Sequence, residues 1–344
     1  MRIGYAPYSP SLTAPGDRRR FGFYARRRGL EFELADPSRT YDLVVLSERA
    51  DITAWSRYRP GKAKVIYDLI DSYLALPPGP KQAGRGLAKF LARETRRPVA
   101  SYRRAIEAMC RRADAVICTT REQRADIEPL CRNVHEILDS QSHLVTRLKD
   151  SYGPSDPFRL CWEGLPYTLN AFESISDPLR QFSRSRPTEM HLVTDISFKR
   201  WVGRFGTART ASIAAGLFER PVVHQWTEDS LAPTLTACDL ALIPLDLHDP
   251  FARGKPENKL LLFWRLGIPA LVSTTPSYVR AMRGAGVDMA CETEADWLAA
   301  VASLADDEQA RHEAGERGRN WAEENHGDAR LLARWDAALD SVAS

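Results

Sequence analysis

The chain alternates short, unbroken apolar runs with longer segments whose apolar residues recur every three or four positions. The runs "RIGYA" (2–6), "EFELA" (31–35), "YDLVVLS" (41–47), "KVIYDLI" (64–70), "DAVICTT" (114–120) and "NVHEILD" (133–139) predict strands. Near-continuous Val, Ile and Leu suit strands buried on both faces, as in a parallel sheet flanked by helices. Between them, "VASYRRAIEAMCRRAD" (99–114) sets Val99, Tyr102, Ile106 and Met109 on one helical face. "DSYGPSDPF" (150–158) then breaks the pattern with one glycine and two prolines and reads as a linker. Alternation resumes beyond it. Strands are predicted at 158–164, 190–195, 221–226, 240–245, 269–274 and 287–293. Helices are predicted at 228–239, from about Glu257 to the Gly267 break, and over 294–307, 307–325 and 327–342. Two successive α/β units joined by a linker imply two Rossmann-like domains.

The length of 344 residues agrees with two domains. A hydrophobic share of 44%, a charged share of 27% and a net charge of +3 describe a soluble protein with no global demand for a polyanion. The charge is uneven. Residues 81–112 hold ten Lys and Arg against Glu94 and Glu107, and "DRRR" (17–20) and "RRR" (26–28) add to this basic half. Such patches suit phosphates or anionic lipid head groups, and a solvated helix face reads the same way. The 81–112 region is therefore available for peripheral membrane contact. It lacks the interleaved aromatics of a nucleic-acid module, and no nucleic-acid partner is expected. The six cysteines form no CxxC pair and read as buried, reduced thiols of a cytoplasmic protein. "MRIGYAPYSP" is no signal peptide, and no apolar run reaches the length of a membrane span.

Several chemistries are excluded by motif. There is no GxGxxG after the first strand, no P-loop, no HExxH, no GxSxG and no EF-hand loop. What does stand out is "ACDLALIPLDLHDPFARGKPENKLLLFWRLGIPALVS", and above all the charged "KPENK" at the mouth of an apolar helix. A helix start offers unpaired N–H groups and the positive end of a dipole, which together bind phosphate. Lys259 in the first turn adds a point charge, and Lys255 reaches the same region from the loop. An N-capping cluster on a core helix is the plainer reading of the same residues.

This string resembles the donor-binding core of GT-B glycosyltransferases of the family-4 (group 1) type. Asp239, Pro244, Asn258, Lys259, Gly267, Pro269 and Ser273 match that family's pattern in order. The resemblance extends more weakly over the whole chain. It implies an α/β, GT-B fold of two Rossmann-like domains facing a cleft. An acceptor domain would span 1–152 and a donor domain 156–320, with the helices of 321–344 packing back on the first. It implies transfer of a hexose from a nucleotide-diphosphate sugar to a saccharide, lipid-linked or other acceptor in polysaccharide or glycoconjugate biosynthesis. The reaction would be retaining and metal-independent, with no cofactor.

The resemblance also suggests roles. Lys259 and Arg200 would stabilise the leaving diphosphate, with Lys199, Lys255, Glu257 and Asn258 around them. Lys199, Arg200 and Arg204 in "TDISFKRWVGRFG" read equally as an exposed basic helical turn. Trp226 falls beneath the expected position of the base, where a packed core Trp is an equal reading, and Glu163 and Gly164 lie on the first loop of the donor domain. In the first domain, Ser11, Gly16, Asp17 and Arg18 belong to the expected acceptor loop. Asp71 is the candidate base, since a carboxylate or His must take the acceptor proton in an inverting transfer; helix capping is its other reading. His143 and His248 are loop histidines with weaker claims. The family pattern departs at Leu262, where relatives carry a Glu that contacts the donor ribose. Phe263 and Lys255 fill the related Glu-x7-Glu positions, and Glu257 is the nearest replacement. Two other readings follow from the same fold: a sugar-nucleotide epimerase, or a non-catalytic glycosyltransferase-like scaffold.

Overall fold

The computed structural model describes residues 1–59, 63–77, 79, 84, 88, 90, 95–199 and 206–343. Arg200 and Arg204 lie outside the described residues, as do Lys81, Arg85, Lys89 and Arg93 of the basic stretch.

The first half runs β1 (Ile3–Ala6), α1 (Pro15–Arg19), α2 (Phe21–Arg28), β2 (Glu33–Leu34), β3 (Leu43–Ser47), α3 (Ile52–Trp55) and β4 (Lys64–Asp68). It continues with α4 (Tyr102–Arg112), β5 (Ala115–Cys118), α5 (Arg121–Ile127) and β6 (Val134–Glu136). The second half opens with β7 (Phe158–Glu163), α6 (Ser176–Ser185), β8 (Thr188–Thr194), β9 (Ser197–Lys199), β10 (Thr207–Arg209), α7 (Thr210–Leu217) and β11 (Pro221–Gln225). Then come α8 (Glu228–Thr236), β12 (Leu240–Ile243), α9 (Pro250–Arg253), α10 (Asn258–Arg265), β13 (Ala270–Ser273), α11 (Pro276–Ala285) and β14 (Ala290–Cys291). The chain closes with α12 (Glu294–Asp306), α13 (Glu308–His326) and α14 (Asp328–Ala343).

Among the described residues these strands form two six-stranded sheets, ordered β2-β1-β3-β4-β5-β6 and β11-β8-β7-β12-β13-β14. Every pairing in both sheets is parallel. Both faces of such sheets are covered, which is why β1, β3, β5, β12 and β13 are buried at every position. The fold is therefore α/β, as the apolar runs predict.

The chain divides into two compact units: residues 1–140 with α14, and residues 141–327. Within the first unit, Trp335 of α14 packs on Phe21 at 5.8 Å and stacks on Tyr24 at 5.6 Å between ring centroids. Within the second, α10 is buried from Leu260 to Arg265. It ends in a Schellman cap, with Ile268 N–H donating to Phe263 O at 2.9 Å and Gly267 N–H to Trp264 O at 2.8 Å. Gly267 takes φ +79°, a left-handed conformation that a Cβ disfavours. This explains the Gly-x-Pro break in the sequence. β9 and β10 pair antiparallel, with Lys199 opposite Thr207, so Lys199 lies in a strand. All six cysteines are buried and unpaired. Among the described residues no helix is long and apolar enough to cross a membrane.

Candidate functional site

In an open parallel sheet, ligands bind beyond the C-terminal strand ends, where the strand order reverses. In the second unit β8 and β11 lie on one side of β7, while β12 and β13 lie on the other. The reversal falls between β7 and β12. β7 ends in Glu163, with Gly164 just beyond it, and the segment after β12 leads through α9 to α10, which starts with Asn258 and Lys259.

Side chains of β7 and α10 meet here. Lys259 Nζ lies 4.6 Å from the ring centroid of Trp162, a cation–π contact. Trp162 is 2% exposed and packs edge-on against Phe172 at 6.1 Å. A Cβ on Gly164 would stand 2.5 Å from Lys259 Nζ and 2.6 Å from Trp162 Cζ2, so only glycine lets the ammonium occupy this position. Burial lowers the Lys259 ammonium to about 8, with the Glu163 carboxylate acting against this shift and the Lys255 charge with it. Lys255 Nζ lies 5.3 Å from the Phe251 ring, and its carbonyl accepts from Ser277 Oγ at 2.6 Å. The loop before α10 is thereby pinned to the start of α11. Glu257 occupies the N-cap without a side-chain capping bond, and its charge, after burial, raises the Tyr278 phenol. The result is a desolvated ammonium, a second cation and a helix N-terminus at one strand-end crossing, an arrangement suited to a diphosphate.

Lys199 is exposed at the end of β9. Trp226 is partly buried just past β11, its N–H donating to Thr194 O at 2.9 Å beside the end of β8. His143 pairs with Glu228 at 3.4 Å, and His248 is exposed. Asp239 and Ser273 of the matched string are structural. Asp239 accepts from Arg159 N–H at 2.7 Å and from Ser155, and Ser273 Oγ accepts from Leu245 N–H at 2.8 Å.

In the first unit the strand order reverses between β1 and β3. Ser11 is exposed on the loop after β1, hydrogen-bonded to Thr13 Oγ1 at 2.7 Å. Gly16 supports the Tyr8 ring, which a Cβ would meet at 2.5 Å. Asp17 does not present itself to a ligand. It is 1% exposed, and its two oxygens accept from Tyr5 OH, Tyr8 N–H, Ser9 N–H and Ser9 Oγ at 2.8–3.0 Å. Those four bonds fill a carboxylate's acceptor sites, so Asp17 organises the loop from beneath. Arg18 is partly buried, and its carbonyl faces Arg26. Asp71 is partly buried beyond β4, and its N–H donates to Glu48 Oε2 at 3.1 Å.

With this geometry in hand, the chain can be set beside known proteins. No protein-family model and no curated protein sequence matches it. Solved structures do. TarM superposes with a TM-score of 0.61 at 9% identity, over 86% of this chain and 54% of that one, so the chain spans about half of TarM's length. Sucrose-phosphate synthase from Thermosynechococcus elongatus gives 0.63 at 14% identity, over 94% of this chain and 77% of that one. Anabaena Alr3699/HepE, in complex with UDP and glucose, gives 0.62 at 11% identity, over 99% of this chain and 100% of that one. These neighbours are GT-B glycosyltransferases. The fold of this chain is GT-B.

Within that GT-B frame, several residues of the two reversal points escape a reading of sequence alone. Arg20 is fully buried between α1 and α2. Its Nε donates to both Asp68 oxygens at 3.0 and 2.8 Å, and its Nη1 to Asp139 Oδ1 at 2.9 Å. In the string "DRRR" it is indistinguishable from Arg18 and Arg19, which are only partly buried. Trp162 reads as a strand residue, and Glu48 as part of a polar turn. Leu262 is 1% exposed, a core position on α10.

Proposed function

We propose that this chain is a glycosyltransferase of hexosyltransferase type. It would transfer a sugar from a nucleotide-diphosphate donor to a saccharide, lipid-linked or other acceptor in polysaccharide or glycoconjugate synthesis. The second unit binds the donor and the first the acceptor. The observation that carries this reading is the Lys259 ammonium held over Trp162 at the sheet's reversal point. As the bond to the diphosphate breaks, negative charge grows on the leaving phosphate oxygens. A fixed ammonium stabilises that charge without reorganising, and does so more strongly in a desolvated site. Lys255 adds to it, the α10 N–H groups hold the other oxygens, and Lys199 and Arg200 complete the set. The reaction is metal-independent and retaining in this proposal. Trp226 stacks on the base, and Glu257 or Glu163 takes the ribose contact that Leu262 cannot make. In the first unit Asp71 binds the acceptor hydroxyl, with Ser11 on the loop after β1 and Arg18 in α1 beside it. The 81–112 segment supplies peripheral membrane contact in a cytoplasmic setting.

Saturation binding of nucleoside diphosphates to wild type and Lys259→Ala tests the donor site; equal affinity removes Lys259 from it. Incubation with a nucleotide sugar and no acceptor, followed by product analysis, separates a transferase from an epimerase. A thermal-shift panel that responds to no nucleotide diphosphate and no nucleotide sugar would favour the non-catalytic reading.

A further inference from the structure

The loop after β4, which carries Asp71, is gripped from two sides. On one side stands Gln123, in the first turn of α5 and fully buried. Its Oε1 accepts from Thr119 N–H at 2.9 Å. Its Nε2 donates to Leu69 O at 2.8 Å and Asp71 O at 3.1 Å. A backbone N–H can only donate and a carbonyl only accept, so these partners fix the amide orientation. Thr119 Oγ1 also donates to Ile70 O at 2.8 Å, so the carbonyls of residues 69, 70 and 71 are all taken up. On the other side stands Glu48, the first residue after β3, accepting from Asp71 N–H. We propose that Gln123 and Glu48 are positioning residues for Asp71, gripping its backbone from both sides and so setting its carboxyl group beside that of Glu48. This rests on the reading of Asp71 as the acceptor-binding group.

The electrostatics agree. Burial, and then the Asp71 carboxylate, push Glu48 up to about 7, while the Asp71 N–H pulls it down. Asp68 raises it further and Arg20 lowers it, and the phenols of Tyr8 and Tyr67 also face it. Glu48 therefore gains or loses a proton near neutral pH, and the charge beside Asp71 changes with it.

The test is carboxyl carbon NMR titration and amide hydrogen exchange on the full chain, with thermal unfolding as a check on folding. Wild type should show Glu48 titrating near 7, and Asp71→Asn should lower that midpoint by roughly half a unit or more. Glu48→Ala and Gln123→Met should each speed exchange at the Asp71 amide about fivefold or more. Glu48→Gln should keep the amide protected and abolish the titration. It also serves if Gln123→Met does not fold. An Asp71 amide indifferent to Glu48→Ala and Gln123→Met, or a Glu48 midpoint indifferent to Asp71→Asn, overturns the proposal. The underlying reading fails separately, if Asp71→Asn transfers sugar at the wild-type rate while the titrations behave as described.

Discussion

The ammonium of Lys259 lies 4.6 Å from the centre of the Trp162 ring, while the backbone of Gly164 leaves no room there for a side chain. Burial at that spot holds the ammonium at about 8, below its ordinary 10.5. Two opposite pH effects follow. Affinity for a nucleoside diphosphate should fall as pH rises through about 8, since the neutral amine offers no charge to phosphate. Stability of the ligand-free protein should instead rise between about 8 and 10.5, because in that window the unfolded chain binds more protons than the folded one. Lys259→Met should lose both slopes and about 10- to 100-fold in UDP affinity. Calorimetric binding and urea unfolding at several pH values measure them. Parallel slopes in wild type and variant would contradict this.

Gly164→Ala probes the same contact from the backbone. The new methyl would press on a flexible lysine end and on an indole that is 2% exposed. The lysine can swing away, but the indole cannot. The expected outcome is a loss of about 1–3 kcal/mol in stability, as for other overpacked sites, together with weaker UDP binding. Stability lost without any change in affinity would separate Gly164 from the donor site.

How far the sequence could reach is visible at these residues. Apolar runs bounded by polar segments mark parallel strands because both faces of such a strand are buried, so β3, β4, β5 and β12 are legible. Gly267 is legible because one backbone conformation demands it. The helices α6 and α11 are harder to read. Pro178 lies in the first turn of one and Pro276 opens the other, so a residue usually taken as a breaker marks a start. In the site, Lys259 is legible from its place at a helix start, whereas Trp162, Glu48, Gln123 and Arg20 depend on contacts distant in sequence. The sequence predicts Asp17 in a loop, but it lies in the first turn of α1, and only its four hydrogen bonds reveal that it faces inward.

Arg20 shows the energetic side of such hidden contacts. It is wholly buried against Asp68, itself 2% exposed. Removing one partner leaves an uncompensated buried charge, which costs more than the pair contributes. Arg20→Met should therefore destabilise by about 3–5 kcal/mol in urea unfolding, and Arg20→Met with Asp68→Leu should recover much of it. A single variant within about 1 kcal/mol of wild type would show that the ion pair is not the anchor of this unit.

Leu262 stands where the family that this chain resembles carries a ribose-binding Glu. Every residue from Leu260 to Arg265 on α10 is buried, and Leu262 is 1% exposed. A glutamate introduced there must desolvate its charge or take up a proton, and either carries a cost of several kcal/mol. Leu262→Glu should unfold at markedly lower urea concentration and bind UDP no better than wild type. Leu262→Met keeps the volume and should stay within about 1.5 kcal/mol. If Leu262→Glu instead folds normally and tightens UDP binding, the position opens to the ligand, and Glu257 loses its claim to the ribose contact. If it does not, the proposed ribose contact falls to the segment leading into the helix, where Lys255 and Glu257 precede the first turn.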